Sequence, residues 1–215
     1  MDTPLTEIHA IQAAQVIQAM KKRNITGHYC PTAAQAVETI CGMIPAKSLV
    51  GLGGSVSIIE SGLVEALRKM DIRLLDRYRE GVPPEEVAAM RYEGLQSDVF
   101  IASSNAVTAD GKLVNIDGTG NRVAAMIFGP KKVVLMVGMN KIVPDVETAI
   151  KRVKNTATPP NALRVGVETP CSHKGFCQEP HCQVPHRICA QVVITEASMT
   201  PDRIHVVLVG QALGF

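Results

Sequence analysis

Short aliphatic runs alternate with segments of helical periodicity along most of the chain, and this alternation constrains the fold more than any other feature. The runs "KSLVGLGGS", "DVFIASS" and "VVLMVG" are typical of strands buried on both faces. Helical segments separate them, such as "PTAAQAVETICGMI", in which Thr32 and Gln35 have capping-box spacing. The sequence therefore predicts an α/β fold, with a mostly parallel central sheet covered by helices on both faces.

The segment "AVTADGKLVNID" predicts a β-hairpin within this pattern. Asp110-Gly111 lies between two β-prone arms, and this dipeptide favours tight hairpin turns. The 215-residue chain has no internal repeat, low-complexity tract or linker. We therefore expect one domain over residues 1–215, which includes a cysteine-rich segment at 169–190.

Charge and composition argue against several classes of protein. The net charge is +2 with acids and bases interspersed, and aromatic residues make up only 3% of the chain. A nucleic-acid binder would need a basic block or an aromatic stacking platform. No apolar run reaches the roughly 18 residues of a membrane span, and the N-terminal residues lack the features of a signal peptide. We therefore expect a cytoplasmic protein, in which thiols stay reduced.

Two glycine-rich turns follow predicted strands and open predicted helices, as ligand-binding turns do. The first, "GLGGS", matches neither the ATP-binding nor the nicotinamide dinucleotide fingerprint. The second, "NIDGTGNR", is rich in polar side chains, and both belong to strand ends that share one edge of the sheet. The predicted ligand-binding residues are Gly53, Gly54, Ser55, Asn115, Gly118, Thr119, Gly120, Asn121 and Arg122.

Charged residues near these turns suggest chemistry for a small anionic metabolite. Asp117 is a candidate general base or hydroxyl ligand, and Arg122 a candidate clamp for a carboxylate or phosphate. Lys141 follows another strand and is expected at the same edge, so it is the second candidate catalytic residue. The alternative is that the turns bind nothing and that Lys141 is solvated.

The segment "TPCSHKGFCQEPHCQVPHRICA" holds four cysteines in the spacing C-x5-C-x4-C-x6-C. Cys171, Cys177, Cys182 and Cys189 are candidate ligands of zinc or of an iron–sulfur cluster, because thiolates hold both. Histidines 173, 181 and 186 could replace one or two of the thiolates. The alternatives are a loop of reduced, packed thiols and, last, a disulfide staple.

The sequence resembles the lactate-utilisation (LUD) domain family in "VGLGGSVSIIESGL", in "SSNAVTADGKLVNIDGTGNRVAAMIFGPKKVVLMVGMNKIV" and in "RIHVVLVGQALGF". The resemblance implies a fold similar to ribose-5-phosphate isomerases and CoA-transferases, with the ligand site at the two turns. It also implies a bacterial origin and a link to L-lactate oxidation, alongside iron–sulfur subunits as partners. Some small members carry a C-terminal cysteine run; here four residues separate its middle pair instead of two, which excludes a Cys-x-x-Cys chelate loop.

Three hypotheses follow from the motifs and the resemblance. The chain is an enzyme or enzyme subunit of lactate oxidation that binds an anionic metabolite and carries a metal or iron–sulfur centre. Alternatively, it is a non-catalytic binding or assembly module with structural zinc. A third possibility is a stand-alone isomerase-like or transferase-like enzyme that acts on a sugar phosphate, with Asp117 as its base.

Overall fold

Ten strands and nine α-helices make up the part of the chain that the computed structural model describes, residues 3–215. Residues 1 and 2 of the predicted domain lie outside it. The strands are β1 (Thr26–Cys30), β2 (Leu49–Leu52), β3 (Arg73–Leu75), β4 (Val99–Ala102), β5 (Ala106–Thr108), β6 (Leu113–Asp117), β7 (Lys132–Gly138), β8 (Ile142–Val143), β9 (Gln191–Thr195) and β10 (Ile204–Val209). The helices are α1 (Thr3–Lys21), α2 (Ala33–Gly42), α3 (Val56–Glu60), α4 (Leu63–Leu67), α5 (Pro84–Glu93), α6 (Asn121–Ile127), α7 (Val146–Arg152), α8 (Thr158–Val165) and α9 (Pro170–Lys174). Among these residues, no helix has the length and apolar character needed to cross a membrane.

The central sheet has six parallel strands in the order β1-β10-β7-β4-β2-β3. Strand β7, near the middle of this sheet, is a continuous apolar run in the sequence because both of its faces are buried. Val133 and Leu135 pack into the core on one face, whereas Val134 and Met136 pack into the core on the other. Both faces are therefore covered, and the predicted α/β fold with a parallel central sheet is confirmed.

A second, four-stranded sheet with the order β8-β5-β6-β9 extends from the first and was not predicted. Its strands β5 and β6 form the predicted hairpin around Asp110-Gly111, in which Ala106 pairs with Val114. Strand β8 has only two residues, too few to leave a periodic pattern in the sequence. This second sheet lies next to the carboxyl ends of β4 and β7, because β5 follows β4 and β8 follows β7 along the chain. It therefore flanks the edge at which open α/β sheets bind ligands.

Two helical segments differ from what their sequences predict, for local reasons. The periodicity of "SIIESGLVEALRKM" predicts a single helix, but Gly62 adopts φ of 77° and divides the segment into α3 and α4. The segment "PDVETAIKRVKN" predicts a helix that ends near Asn155, but the helix continues through a π-helical turn, Val153–Ala157, into α8. Prolines 159 and 160 lie in the first turn of α8, directly after the π-helical turn.

The predicted cap of α2 is present, and it lies two residues after the end of β1. The Thr32 backbone is extended, and its hydroxyl accepts a hydrogen bond from the backbone N–H of Gln35. The same hydroxyl lies 3.2 Å from the side-chain oxygen of Gln35. The cap thus stabilises the helix start at the carboxyl end of a strand.

Candidate functional site

A cavity of about 400 Å³ lies at the carboxyl edge of the central sheet. The residues that follow β2, β3, β4 and β7 line one side of it. The turn that begins with Asp117 at the end of β6, called the acidic turn below, lines another side. Helix α8 and the end of the cysteine-rich segment close the remaining side. Both its position in the fold and its volume are those expected for a small-molecule site.

Lys141 lies in the wall of this cavity, at the end of a short 3₁₀ turn after β7. Only 4% of the residue is exposed. Its Nζ lies 2.8 Å from the hydroxyl of Ser57 and 3.2 Å from the hydroxyl of Ser103. Among residues 3–215, no carboxylate forms an ion pair with it.

This environment changes the ionisation of Lys141. Burial, together with the positive charges of Arg152 and Arg122, lowers the pKa of the amine to about 7, while Glu60 opposes the shift. An ordinary lysine titrates near a pKa of about 10.4. This shift favours the neutral amine, which is the state in which an amine is a nucleophile or a base.

Arg122 is buried behind the acidic turn and directs its guanidinium towards protein acceptors. Its Nη1 donates to the side-chain oxygen of Asn115 at 2.6 Å, and its Nη2 to that of Asn105 at 2.9 Å. The guanidinium also contacts the carbonyl oxygens of Ser103 and Ile116, the sulfur of Met126 and, through Nε, Asp117 at 3.2 Å. Because these acceptors occupy the N–H groups of the guanidinium, Arg122 holds the turn in place and has little capacity left to bind a ligand.

Asp117 ends β6 and lines the cavity, but both of its carboxylate oxygens have protein partners. One accepts from the backbone N–H of Gly120 at 3.0 Å and the other pairs with Arg122. Gly120 adopts φ of 87°, which favours glycine and begins helix α6. The sequence "DGTGNR" thus folds into a turn that is held together by its own carboxylate.

The first glycine turn is held by Tyr78, a residue that the sequence analysis did not identify. The Tyr78 hydroxyl donates to the carbonyl of Gly53 at 2.8 Å and accepts from the backbone N–H of Ser55 at 2.9 Å. A Cβ on Gly53 would lie 2.9 Å from the Cβ of Ala102, so glycine is required there for close packing. Gly54 and Ser55 are left to line the cavity.

Three further arginines surround the cavity, and sequence reasoning missed all of them. Arg77 is half-buried above Gly54, whereas Arg91 on α5 and Arg164 on α8 are exposed. Burial lowers the pKa of Arg77, and the nearby charges of Arg91 and Arg164 add to this effect. Within the described part of the chain, neither Arg77 nor Arg91 forms an ion pair, so both charges are available to a ligand.

The structure brings most of the predicted site residues together around one cavity. Those that line it are Gly54, Ser55, Asp117, Gly118, Thr119, Asn121, Arg122 and Lys141. Gly53, Asn115 and Gly120 lie behind the wall and shape the two turns. Asn115 is fully buried, and it donates to the hydroxyl of Ser104 in addition to accepting from Arg122.

The four predicted cysteine ligands line a second cavity of about 20 Å³, beside the first. All four thiols are free. Burial raises the pKa of the thiols of Cys182 and Cys189, and the charges of the other thiols raise both further. None of the segment's three histidines, all within the described residues, lines this cavity, so the thiols are the donor set it offers.

The donor set fits a soft metal, although the side chains are not yet in a ligating arrangement. Four thiols around an ion-sized space are the ligands of structural zinc and of iron–sulfur clusters. Among residues 3–215, however, no three histidine, cysteine or acidic side chains lie at metal-binding distances from a common point. Binding of a metal would therefore require the thiols to close further around it.

Charged residues brace the loop that carries these thiols. Arg187 donates to the carbonyl oxygens of Cys182 and Cys189 and to Glu179. Glu179 also pairs with Lys154, and its hydrogen bonds to Lys154 and Arg187 lower its pKa to about 2. The ion pairs thus link the cysteine loop to the π-helical turn before α8.

The two cavities share part of their walls. Thr158, Ile188 and Cys189 line both of them. The backbone N–H of Ala190 donates to the carbonyl of Asp117 at 2.9 Å, and Gly118 packs closely against the carbonyl of Ile188. The end of the cysteine-rich segment is therefore also a wall of the larger cavity.

Comparisons with known proteins agree with this architecture. A sequence model of the LUD domain matches residues 13–209. Among solved structures, a DUF162 family protein from Deinococcus radiodurans has a similar fold, with a TM-score of 0.53. The two chains are 13% identical, and the match covers 94% of this chain and 98% of the other, so this likeness concerns the fold. No curated protein is significantly similar to this chain in sequence.

Proposed function

The chain belongs to the LUD domain family, and we propose that it binds a small anionic metabolite in the cavity at the carboxyl edge of its central sheet. The family name connects it with lactate utilisation, so hydroxy acids and keto acids are the first ligands to consider. Sugar phosphates are the alternative class, because the predicted fold group includes enzymes that act on them.

The balance of charge around the cavity is the observation that carries this proposal. Its lining contains four arginines, Arg77, Arg91, Arg122 and Arg164, together with the buried amine of Lys141. The only carboxylate side chain in the described lining is Asp117, which Arg122 already neutralises. A partly enclosed, positively charged cavity attracts anions, and arginine forks match both carboxylates and phosphates.

Replacing Arg77 with alanine is expected to weaken anion binding by about 1.5–3 kcal/mol, or roughly 10- to 150-fold in Kd. The reason is that Arg77 is the least exposed of the three arginines without a committed carboxylate partner and would donate charge-assisted hydrogen bonds. Titration calorimetry with pyruvate, L-lactate, ribose 5-phosphate and inorganic phosphate measures the effect.

Arg73→Ala is the matched control for this experiment. Arg73 lies on the strand that leads to Arg77, but it is exposed and pairs with Glu93 outside the cavity. The control variant should bind each anion as the wild type does. Equal losses in both variants, or no binding of any of the four anions by the wild-type protein, would count against an anion site.

We propose in addition that Cys171, Cys177, Cys182 and Cys189 hold a metal centre, either zinc or an iron–sulfur cluster. The presence of four free thiols in the lining of one small cavity supports this. Zinc would stabilise the segment, and an iron–sulfur cluster would supply electron transfer, consistent with partners in a lactate-oxidising complex. Metal and acid-labile sulfide contents, measured on protein purified without oxygen, distinguish the two.

A further inference from the structure

We propose that Lys141 is a nucleophile that forms an imine with the carbonyl group of a small anionic metabolite. The inference rests on the proposed anion site and narrows its ligand to a keto acid or a sugar phosphate with a free carbonyl. Both classes of ligand have an anionic group, which the arginines would bind, and an electrophilic carbonyl carbon, which the amine would attack.

The hydrogen bonds around Nζ leave one position of the nitrogen open. The hydroxyl of Ser57 donates to the carbonyl of Leu213 at 3.1 Å, and that of Ser103 donates to the carbonyl of Ser104 at 3.2 Å. Each hydroxyl has a single hydrogen, so both can only accept from Lys141. Among residues 3–215, these two hydroxyls are the only hydrogen-bond partners of Nζ.

Two acceptors match a neutral amine better than an ammonium ion. An amine has two N–H groups and a lone pair, whereas an ammonium has three N–H groups, one of which would lack a protein acceptor here. With its two N–H groups on Ser57 and Ser103, the neutral amine keeps its lone pair for a bound molecule. Burial and neighbouring positive charge are the two means by which proteins activate lysine as a nucleophile.

The reaction needs no oxidant and no external group. The Nζ lone pair attacks the carbonyl carbon, a C–N bond forms, and the carbonyl electron pair moves to oxygen. The oxygen then leaves as a water molecule together with the two hydrogens of the amine, and a C=N bond remains. The arginines around the cavity hold the anionic group of the substrate during these steps.

Reductive trapping tests the proposal directly. The full-length protein is incubated with pyruvate or ribose 5-phosphate and cyanoborohydride, and the modified peptide is identified by mass spectrometry. We expect the reduced adduct on Lys141 with at least one of the two probes. L-Lactate, which has a hydroxyl where pyruvate has a carbonyl, should leave no adduct.

Two variants separate this role from nonspecific labelling. Lys141→Met should abolish the adduct, whereas Lys151→Met, which removes an exposed lysine on α7, should retain it. Acylation of Lys141 by acetic anhydride should also increase through about pH 7. Lys151 should require a more alkaline pH, because its hydrogen bond to Glu147 raises its pKa above that of an ordinary lysine. Both the peptide map and this pH profile use the wild-type protein, so they stand even if Lys141→Met does not fold.

The outcomes distinguish this proposal from the one it rests on. Calorimetric binding of pyruvate or ribose 5-phosphate without an adduct on Lys141 would overturn the imine and leave the anion site intact. An adduct spread over exposed lysines would overturn it equally. If neither probe binds and none is trapped, both proposals fail.

Discussion

Replacing Arg122 with alanine is expected to lower the free energy of unfolding by about 3–5 kcal/mol, because it leaves a buried charge without its partner. Asp117 would lose its ion pair, and Asn115 and Asn105 would lose their donor. For a chain of this size the melting temperature should fall by roughly 10 °C. Thermal and urea unfolding of the variant, each followed by circular dichroism, measure the change.

A double substitution tests whether the effect belongs to the ion pair itself. Arg122→Met with Asp117→Asn removes both charges and keeps much of the volume, so it should cost less than the sum of the two single substitutions. Arg77→Ala serves as the matched arginine control, because it should weaken anion binding while changing stability far less. An Arg122→Ala variant with normal stability and weakened anion binding would show instead that Arg122 is the clamp first predicted from the sequence.

The role of Arg122 also shows where sequence reasoning about the site reached its limit. Its position after "DGTG" placed it correctly beside Asp117, because residues that follow a strand end lie at the sheet edge. The number of protein acceptors around a guanidinium, however, depends on residues from other elements. Ser103 and Asn105 lie on the turn after β4, and nothing in their spacing indicates that they contact Arg122.

The arginines of the cavity were missed for a related reason. Arg91 and Arg164 lie on helices, where the usual interpretation of an arginine is a solvated side chain. Only the packing of α5 and α8 near the sheet edge brings them to the ligand site. Lys141, in contrast, was predicted, since it directly follows a strand whose apolar run is unambiguous.

The fold was more accessible to sequence reasoning than the site because its signals are local and repeated. Strand β7 and helix α2 each carry a complete pattern of burial or capping within their own residues. The second sheet has no such pattern: β5 has three residues and β8 has two, and their pairing joins distant parts of the chain. Short strands of this kind are specified by tertiary contacts more than by periodicity.

Replacing Cys177 with alanine is expected to abolish metal loading if four thiolates are required, and this is the largest effect predicted for the cysteine-rich segment. Structural zinc contributes about 10–16 kcal/mol of apparent binding free energy in small zinc domains, so loss of one ligand should be severe. Metal content of the purified variant, with sulfide content and the visible spectrum, measures the loss. Cys41→Ala is the matched control, because Cys41 is a half-buried thiol on α2 that does not line the cysteine cavity.

The shared wall extends this prediction to the anion site. Because Thr158, Ile188 and Cys189 line both cavities, loss of the metal should loosen the wall beside Gly118 and weaken anion binding. Limited proteolysis should then cut within residues 169–190 faster in Cys177→Ala, and in chelator-treated wild type, than in Cys41→Ala. If the untreated protein contains neither zinc nor iron, the thiols are packed core residues, and these differences between the variants should disappear.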